Sequence, residues 1–342
     1  LKVVARTRPF QQVDVFTAKP YFGNALAVVL DATGLSDADM QRFAMWTHLA
    51  ETTFILPPTP QAAAEGADYQ VRIFTTAYEM PFAGHPTLGS CHAWLAQGGV
   101  PKDPTRIVQQ CQVGLVALKR QGTRLAFAAP ALQRGPIAAD LLPKLLSALG
   151  LPGGQVVASQ HLVNGPSYFG LLLDTAQSVL ELAPDFAALK AVLAQGGCSG
   201  VGVAAVQHDA PAQGLILRSN REARAFGGTS GSRDTSSRTF TNASAADATD
   251  ANAQAHAIAV EPSVEVRMFV SDLVVAEDPI TGSFNASLAQ WLIADGHTPR
   301  NYLAAQGTCI GREGRVTITQ DANGQVWVGG DSVTCVNGSV LL

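Results

Sequence analysis

The chain has 342 residues, 47% of them hydrophobic and 15% charged, with a formal net charge of −4. That is enough apolar material for one or two full cores, and the length sets an expectation of two domains. No block of Lys and Arg marks a nucleic-acid footprint, and no apolar run reaches the ~20 residues of a membrane-spanning helix.

In "QVDVFTAKPYFGNALAVVLD", Val13 and Val15 alternate with polar positions, "KPYFGN" supplies turn residues and "ALAVVL" is a buried-strand run, so the segment reads strand, turn, strand. Ser36 then caps a helix, with Asp39 three residues on as in a capping box. Met40, Phe43 and Ala44 fall on one face of that helix, and Leu49 closes it. The strand "ETTFIL" follows at once, which sets Glu51 at a helix-to-strand junction. "DYQVRIFTT" is another strand, and "MPFAGHPTLGS" leads from it into the helix "TLGSCHAWLA". "RIVQQCQVGLVALKRQGTRLAFAAP" reads as a meander turning at "QGT", and residues 129–154 as a connection with one short helix.

After that connection the pattern begins again. "QVVASQHLVNGPSYFGLLLD" is strand, turn, strand; "APDFAALKAVLAQGG" is a helix and "VGVAAVQ" a strand. Residues 219–260 are rich in Ser, Thr, Ala, Asn, Asp and Gly and have little periodicity. Such a stretch buries too little to offset its ordering entropy and reads as a partly mobile polar insertion. The strand "SVEVRMFVS" and the helix "AEDPITGSFNASLAQWLIADG" follow, and "GRVTITQ", "QVWVGGD" and "VNGSVLL" close the chain as short strands.

"VRIF" precedes "GHPTLGSCHAWL", and "VRMF" precedes "EDPITGSFNASLAQWL". Setting Pro86 on Pro279 puts His85 on Asp278, Gly89 on Gly282 and Ser90 on Ser283. This reads as duplication of a whole domain: an N-terminal domain over residues 8–134, a C-terminal one over 150–334, and a last strand at about 335–342 packing back on the first. Chance resemblance of two amphipathic helices is the plainer alternative.

A proline fits a first helical turn, where its missing N–H would be unpaired anyway, so His85 and Asp278 read as N-cap residues. Free first-turn N–H groups and the positive end of the helix dipole form an anion site. Two such helices related by a pseudo-twofold axis would face each other across a domain interface and hold a small carboxylate. Glu51 lies between an apolar helix face and an apolar strand, surroundings that raise a carboxyl pKa and suit proton shuttling. Against these stand plain roles: an ordinary helix cap for Asp278, a buried hydrogen-bonded histidine for His85 and a solvated helix-end carboxylate for Glu51.

Five cysteines, Cys91, Cys111, Cys198, Cys309 and Cys335, are widely spaced and lack a CxxC pair. Reduced thiols in a cytoplasmic protein are expected, not a structural zinc site. The start, "LKVVARTRPFQQVDVF", has no signal-peptide core.

Through "VDVFTAKPYFGNALAVV", "LAETTFIL", "VRIFTTAYEMPFAGHPTLGS", "EDPITGS" and the closing "GRVTITQ…VWVGG", the chain resembles the PhzF family of phenazine-biosynthesis-like proteins, in the diaminopimelate-epimerase-like superfamily. The resemblance covers nearly the whole chain. It implies an α+β fold of two pseudo-symmetric domains, each a curled, barrel-like mixed sheet around a central helix, with the active site in the cleft between them. It implies a cofactor-independent isomerase, like trans-2,3-dihydro-3-hydroxyanthranilate isomerase, with no metal, nucleotide or flavin. Glu51 matches the general acid/base, and His85, Asp278 and Ser283 match polar groups around a small carboxylate substrate. Gly84 and the first-turn amides of both helices would hold the carboxylate, with Asn24, Thr87 and Gly282 also placed at the substrate. Dimers are common in the family, so a homodimer is compatible with it.

The chain departs from the family in the insertion, in Ala25 after Gly23-Asn24 where "GNP" is frequent, and in Phe284 and Asn285, expected near the cleft and so bearing on substrate size. Two other functions are weighed. A two-base racemase or epimerase needs a cysteine at each motif, where Gly84-His85 and Glu277-Asp278 stand instead; Cys91 lies further along its helix, against Phe284 in the repeat. A non-catalytic small-acid binding protein would have no reason to keep Glu51, His85, Asp278 and Ser283 together.

Overall fold

A computed structural model describes residues 5–207, 262–271 and 276–342; the insertion expected at 219–260 lies outside the described residues. The alternating and apolar runs of the first half form β1 (Thr7–Val15), β2 (Asn24–Val29), β3 (Glu51–Leu56), β4 (Tyr69–Phe74), the two-residue β5 (Glu79–Met80), β6 (Arg106–Cys111), β7 (Gly114–Gln121) and β8 (Arg124–Ala128). Three helices interrupt them: α1 (Asp37–Thr47), α2 (Pro60–Ala64) and α3 (Gly84–Ala96). After β9 (Gln133–Gly135) and α4 (Leu142–Leu149) come β10 (Val156–Val163), β11 (Ser167–Leu173), α5 (Ala176–Leu180), α6 (Phe186–Gly196), β12 (Gly200–Val206), β13 (Val264–Val270) and α7 (Gly282–Ala294). The chain closes with β14 (Asn301–Gln306), β15 (Gly314–Gln320), β16 (Val326–Gly330) and β17 (Ser332–Leu341). The strands β9 and β14 and the helices α2 and α5 carry no strong periodicity and were not expected from the sequence.

Backbone pairing repeats in the two halves. From β1 through β2, β3, β4, β6 and β7 to β8, neighbours pair antiparallel, parallel, antiparallel, parallel, antiparallel and antiparallel. From β10 through β11, β12, β13, β14 and β15 to β16 the succession is the same. β9 pairs antiparallel with β10 as β17 does with β1, and β8 pairs antiparallel with β16. The result is one large, curled, mixed sheet.

Two helices are buried nearly all round, as core helices must be. In α3 the residues from Gly84 to Cys91 are buried without a break, and in α7 those from Gly282 to Ala289. α3 packs on β1, β2, β3 and β8, and α7 on β10, β15 and β16. Leu88 and Cys91 of α3 share one core with Phe284, Leu288 and Trp291 of α7. Outside the sheet, Met40, Phe43 and Ala44 of α1 cover Phe54 and Phe74. Leu145 and Leu149 of α4 and Leu189 and Leu193 of α6 cover Phe169, Val203 and Phe269. No helix among the described residues is long and apolar enough to cross a membrane.

The Ser36 cap forms as expected, its hydroxyl accepting from the Asp39 N–H at 3.2 Å. α1 stops at Thr47 rather than Leu49, because His48 turns left-handed at φ 54°. The two motif helices start elsewhere than the prolines suggest. The N-cap of α3 is Ala83 and that of α7 is Thr281. His85 is therefore the second helical residue, and Asp278 lies three residues before the cap. The helix starts correspond as Gly84 to Gly282, not as Pro86 to Pro279. Proline misleads here because all the first-turn N–H groups lack intrahelical partners, so Pro86 is tolerated as the third residue of α3.

Candidate active site

Each half holds its motif segment with an arginine. Arg72 of β4 binds Glu79 of β5 through Nε at 2.8 Å, and its guanidinium lies 5.1 Å over the ring of Phe74. Arg267 of β13 binds Glu277 at 2.9 and 2.7 Å and lies 4.8 Å over Phe269. Arg267 also donates to the Leu182 carbonyl at 2.8 Å, so the buried guanidinium has partners on several sides. Glu277 is thus anchored beside Asp278, whose own N–H donates to the Met268 carbonyl at 2.9 Å.

Beyond these clamps the two core helices meet start to start. A Cβ on Gly84 would lie 2.8 Å from the Cα and carbonyl carbon of Gly282, and one on Gly282 would lie 3.0 Å from the Cα of Gly84. Only glycine permits that approach of two backbones. The positive ends of two helix dipoles therefore converge. The cleft at this point is lined by Glu51, Gly84 and His85 from the first half and by Asp278, Gly282 and Ser283 from the second. No Lys or Arg among the described residues lines it.

Parallel pairing of β2 with β3 sets Asn24 and Glu51, the first residues of those strands, at the same end of the sheet. Glu51 Oε2 stands 3.3 Å from His85 Nε2. The pair is not aligned as a hydrogen bond, and neither atom has another partner among the described residues. On the far side of the ring, His85 Nδ1 faces Asn24 Nδ2 at 3.3 Å. That amide donates to the Ile280 carbonyl and to Asp278 Oδ1, each at 2.9 Å. A carbonyl only accepts, so the Ile280 contact fixes which way the amide faces. The amide nitrogen cannot accept, so a hydrogen on His85 Nδ1 would face its N–H groups, which favours the neutral ring carrying its hydrogen on Nε2.

Asp278 accepts at both oxygens, since the Thr281 hydroxyl donates to Oδ2 at 2.6 Å. Burial lifts Glu51 to about 8, helped by the nearby Asp278 charge. Burial lifts Asp278 only to about 6, because hydrogen bonds from Thr281 and Asn24 oppose it. Burial lowers His85 to about 3, which keeps the ring neutral. Of the two carboxyls, Glu51 is therefore the one pushed further towards its protonated form.

The other expected residues take varied places. Ser283 contacts Tyr168 through its hydroxyl at 2.8 Å, and its carbonyl accepts from Asn164 at 2.8 Å. Asn24 stands behind the cleft and links His85 to Asp278. Thr87 is buried away from the lining, with its hydroxyl donating to the Ala83 carbonyl and accepting from Gln109. Phe284 and Asn285, expected near the cleft, do not line it. Phe284 lies in the core against Tyr168, and Asn285 donates to the Thr281 carbonyl and to Gln306. No cysteine lines the cleft either; burial pushes the Cys91 thiol up to about 12. Among the described residues no three His, Cys, Asp or Glu side chains converge as a metal site requires.

Sequence reasoning missed Thr281, Gln306, Tyr168 and Asn164. Thr281 alone had a local signal, a cap-type residue directly before the helix.

The fold is shared with known proteins. The structure matches the Bacillus anthracis phenazine biosynthesis protein of the PhzF family with a TM-score of 0.72 at 19% identity, covering 98% of this chain and 100% of that one. The family model PhzC-PhzF, phenazine biosynthesis-like protein, matches residues 13–219 and 239–338. A relative from Schizosaccharomyces pombe, antisense-enhancing sequence 1, is 30% identical over 97% of this chain and 98% of its own. Trans-2,3-dihydro-3-hydroxyanthranilate isomerase of Pseudomonas aeruginosa is 35% identical over 52% of this chain and 61% of its own. The chain belongs to the PhzC-PhzF family, and it is an isomerase.

Proposed function

We propose that the chain is a cofactor-independent isomerase of a small carboxylate-bearing substrate, acting by general acid/base proton transfer in a cleft between two lobes, residues 8–134 and 150–334. One observation carries this reading. Glu51 and His85 are buried side by side with unpartnered polar atoms, where the starts of two core helices converge. First-turn N–H groups offer donors for a carboxylate where the lining has no Lys or Arg among the described residues.

In the mechanism, the ionised form of Glu51, in equilibrium with the protonated one, takes a proton from a carbon next to the carboxylate or a conjugated system and returns it elsewhere on the same face. Its value of about 8 suits both steps, since proton affinity near the working pH serves removal and delivery alike. Neutral His85 donates from Nε2, and Asp278 stays ionised behind it. The helix amides stabilise charge developing on the substrate, a preorganised electrostatic contribution. The name of the Pseudomonas aeruginosa relative supports a cyclic amino acid as the substrate class. A two-base racemase with paired thiols is disfavoured, because among the described residues no cysteine lines the cleft.

A positioned acid/base contributes about 10²–10⁴-fold. Glu51→Gln is therefore expected to lose that much turnover on a cyclic amino or hydroxy acid while still binding it. Normal turnover by Glu51→Gln would refute the assignment.

A further inference from the structure

Gln306 is the last residue of β14, has no exposed surface and does not line the cleft. Its amide makes four hydrogen bonds. Oε1 accepts from the Thr281 backbone N–H at 3.0 Å and from Asn285 Nδ2 at 2.9 Å. Nε2 donates to the Asp278 carbonyl and to Thr281 Oγ1, both at 3.1 Å. The orientation is dictated by the backbone: an N–H only donates and a carbonyl only accepts. Thr281 Oγ1 is consequently already an acceptor, so its single hydrogen goes to Asp278 Oδ2.

The first half carries the same device with a different ending. Gln109, in the strand beside β4, donates to Thr87 Oγ1 at 3.0 Å and accepts from the Tyr69 hydroxyl at 3.0 Å. Thr87 donates to the carbonyl of Ala83, the N-cap of α3. Gln306 meets Asn285, three residues after Gly282 as Thr87 is after Gly84, and then reaches beyond the cap to a carboxylate. Both glutamines brace a helix start, but only Gln306 is wired to an acid.

We propose that Gln306 is a positioning residue that fixes the direction of the Thr281–Asp278 hydrogen bond, keeps both Asp278 oxygens as acceptors, and so favours Asp278 as the ionised partner of Glu51. This deepens, and rests on, the reading of Glu51 as the acid/base. The titratable groups that line the cleft with Asp278 are Glu51 of β3, Tyr78, His85 of α3 and Tyr168 of β11, with Glu277 beside it paired to Arg267.

The test is a substrate-free titration of the Glu51 and Asp278 carboxyl carbons by NMR on isotope-labelled full-length protein. In the unsubstituted protein Asp278 is expected to titrate below Glu51. In Gln306→Met, Asp278 should rise and Glu51 fall, each by about one unit, a tenfold change in proton affinity. The pH optimum of turnover should move with them, with kcat falling more than KM changes. Gln109→Met removes the corresponding amide without touching an acid and should leave both midpoints in place. Unmoved midpoints in folded Gln306→Met, or equal movement in Gln109→Met, would overturn the proposal. Should Gln306→Met not fold, Thr281→Val decides: closing of the gap supports the role, and a gap as wide as in Thr281→Ser, which keeps the hydroxyl, overturns it. Because the titration needs no substrate, failure here is distinct from failure of the isomerase reading, which the turnover of Glu51→Gln decides.

Discussion

Glu51 is held in the interior at the cost of stability as pH rises. Its folded value is raised to about 8 by burial, so the folded state binds this proton more tightly than the unfolded chain does. That contribution is fully present below about 4.5 and is lost as pH climbs through about 8. Asp278, raised to about 6, has the same sign over a lower window. Glu51→Gln removes the penalty, so its stability should exceed that of the parent increasingly as pH rises towards and above about 8. Denaturation midpoints of the two proteins measured from acid to alkaline pH check this, and parallel curves would contradict it. The burial of Glu51 was legible from its apolar flanks. The wiring behind it was not, because Asn24, Asp278 and Gln306 meet only through pairing of strands far apart in the chain, and a single sequence carries no record of such contacts.

The helix starts were legible as a type of element but not in register. "GHP" and "EDP" suggest equivalent prolines, yet proline marks only the first turn, where any of several positions lacks a partner for its N–H. What sets the register is contact between Gly84 and Gly282, a through-space constraint that neither motif announces alone. Alanine is ordinarily worth up to about 1 kcal/mol over glycine within a helix. At Gly84 the added methyl would sit 2.8 Å from backbone atoms of Gly282 and Ser283, which have no rotamer through which to yield. Gly84→Ala is therefore expected to lower stability by about 1–3 kcal/mol, in the range of overpacked cores, and to reduce turnover by parting the two helix starts. A stabilised Gly84→Ala variant in urea denaturation would contradict the contact.

The repeat legible in the sequence extends to the whole molecule as a succession of strand pairings, but the seams that join the repeats were largely hidden. A final strand returning to the first half was expected, and β17 does pair with β1. The β8–β16 seam was not expected, since short antiparallel edges such as "RLAFA" and "VWVGG" do not state their partners. These seams have an energetic consequence. Residues of α3 and α7 share one apolar core, and β8 has β16 as its neighbour beyond β7, so opening either half would strip burial and backbone bonds from the other. Chains of this length often unfold in steps, but this connectivity argues for one step across the two halves. Trp94 lies in α3 and Trp291 in α7, so each reports on its own half. Variants in which Trp94 or Trp291 is the single tryptophan, Trp46 and Trp327 being replaced by Phe in both, should give fluorescence transitions in urea with coincident midpoints, matching the loss of far-ultraviolet circular dichroism. Two separated midpoints, with Trp94 and Trp291 changing at different denaturant concentrations, would mean that the halves stand independently and that the β8–β16 seam does not couple them.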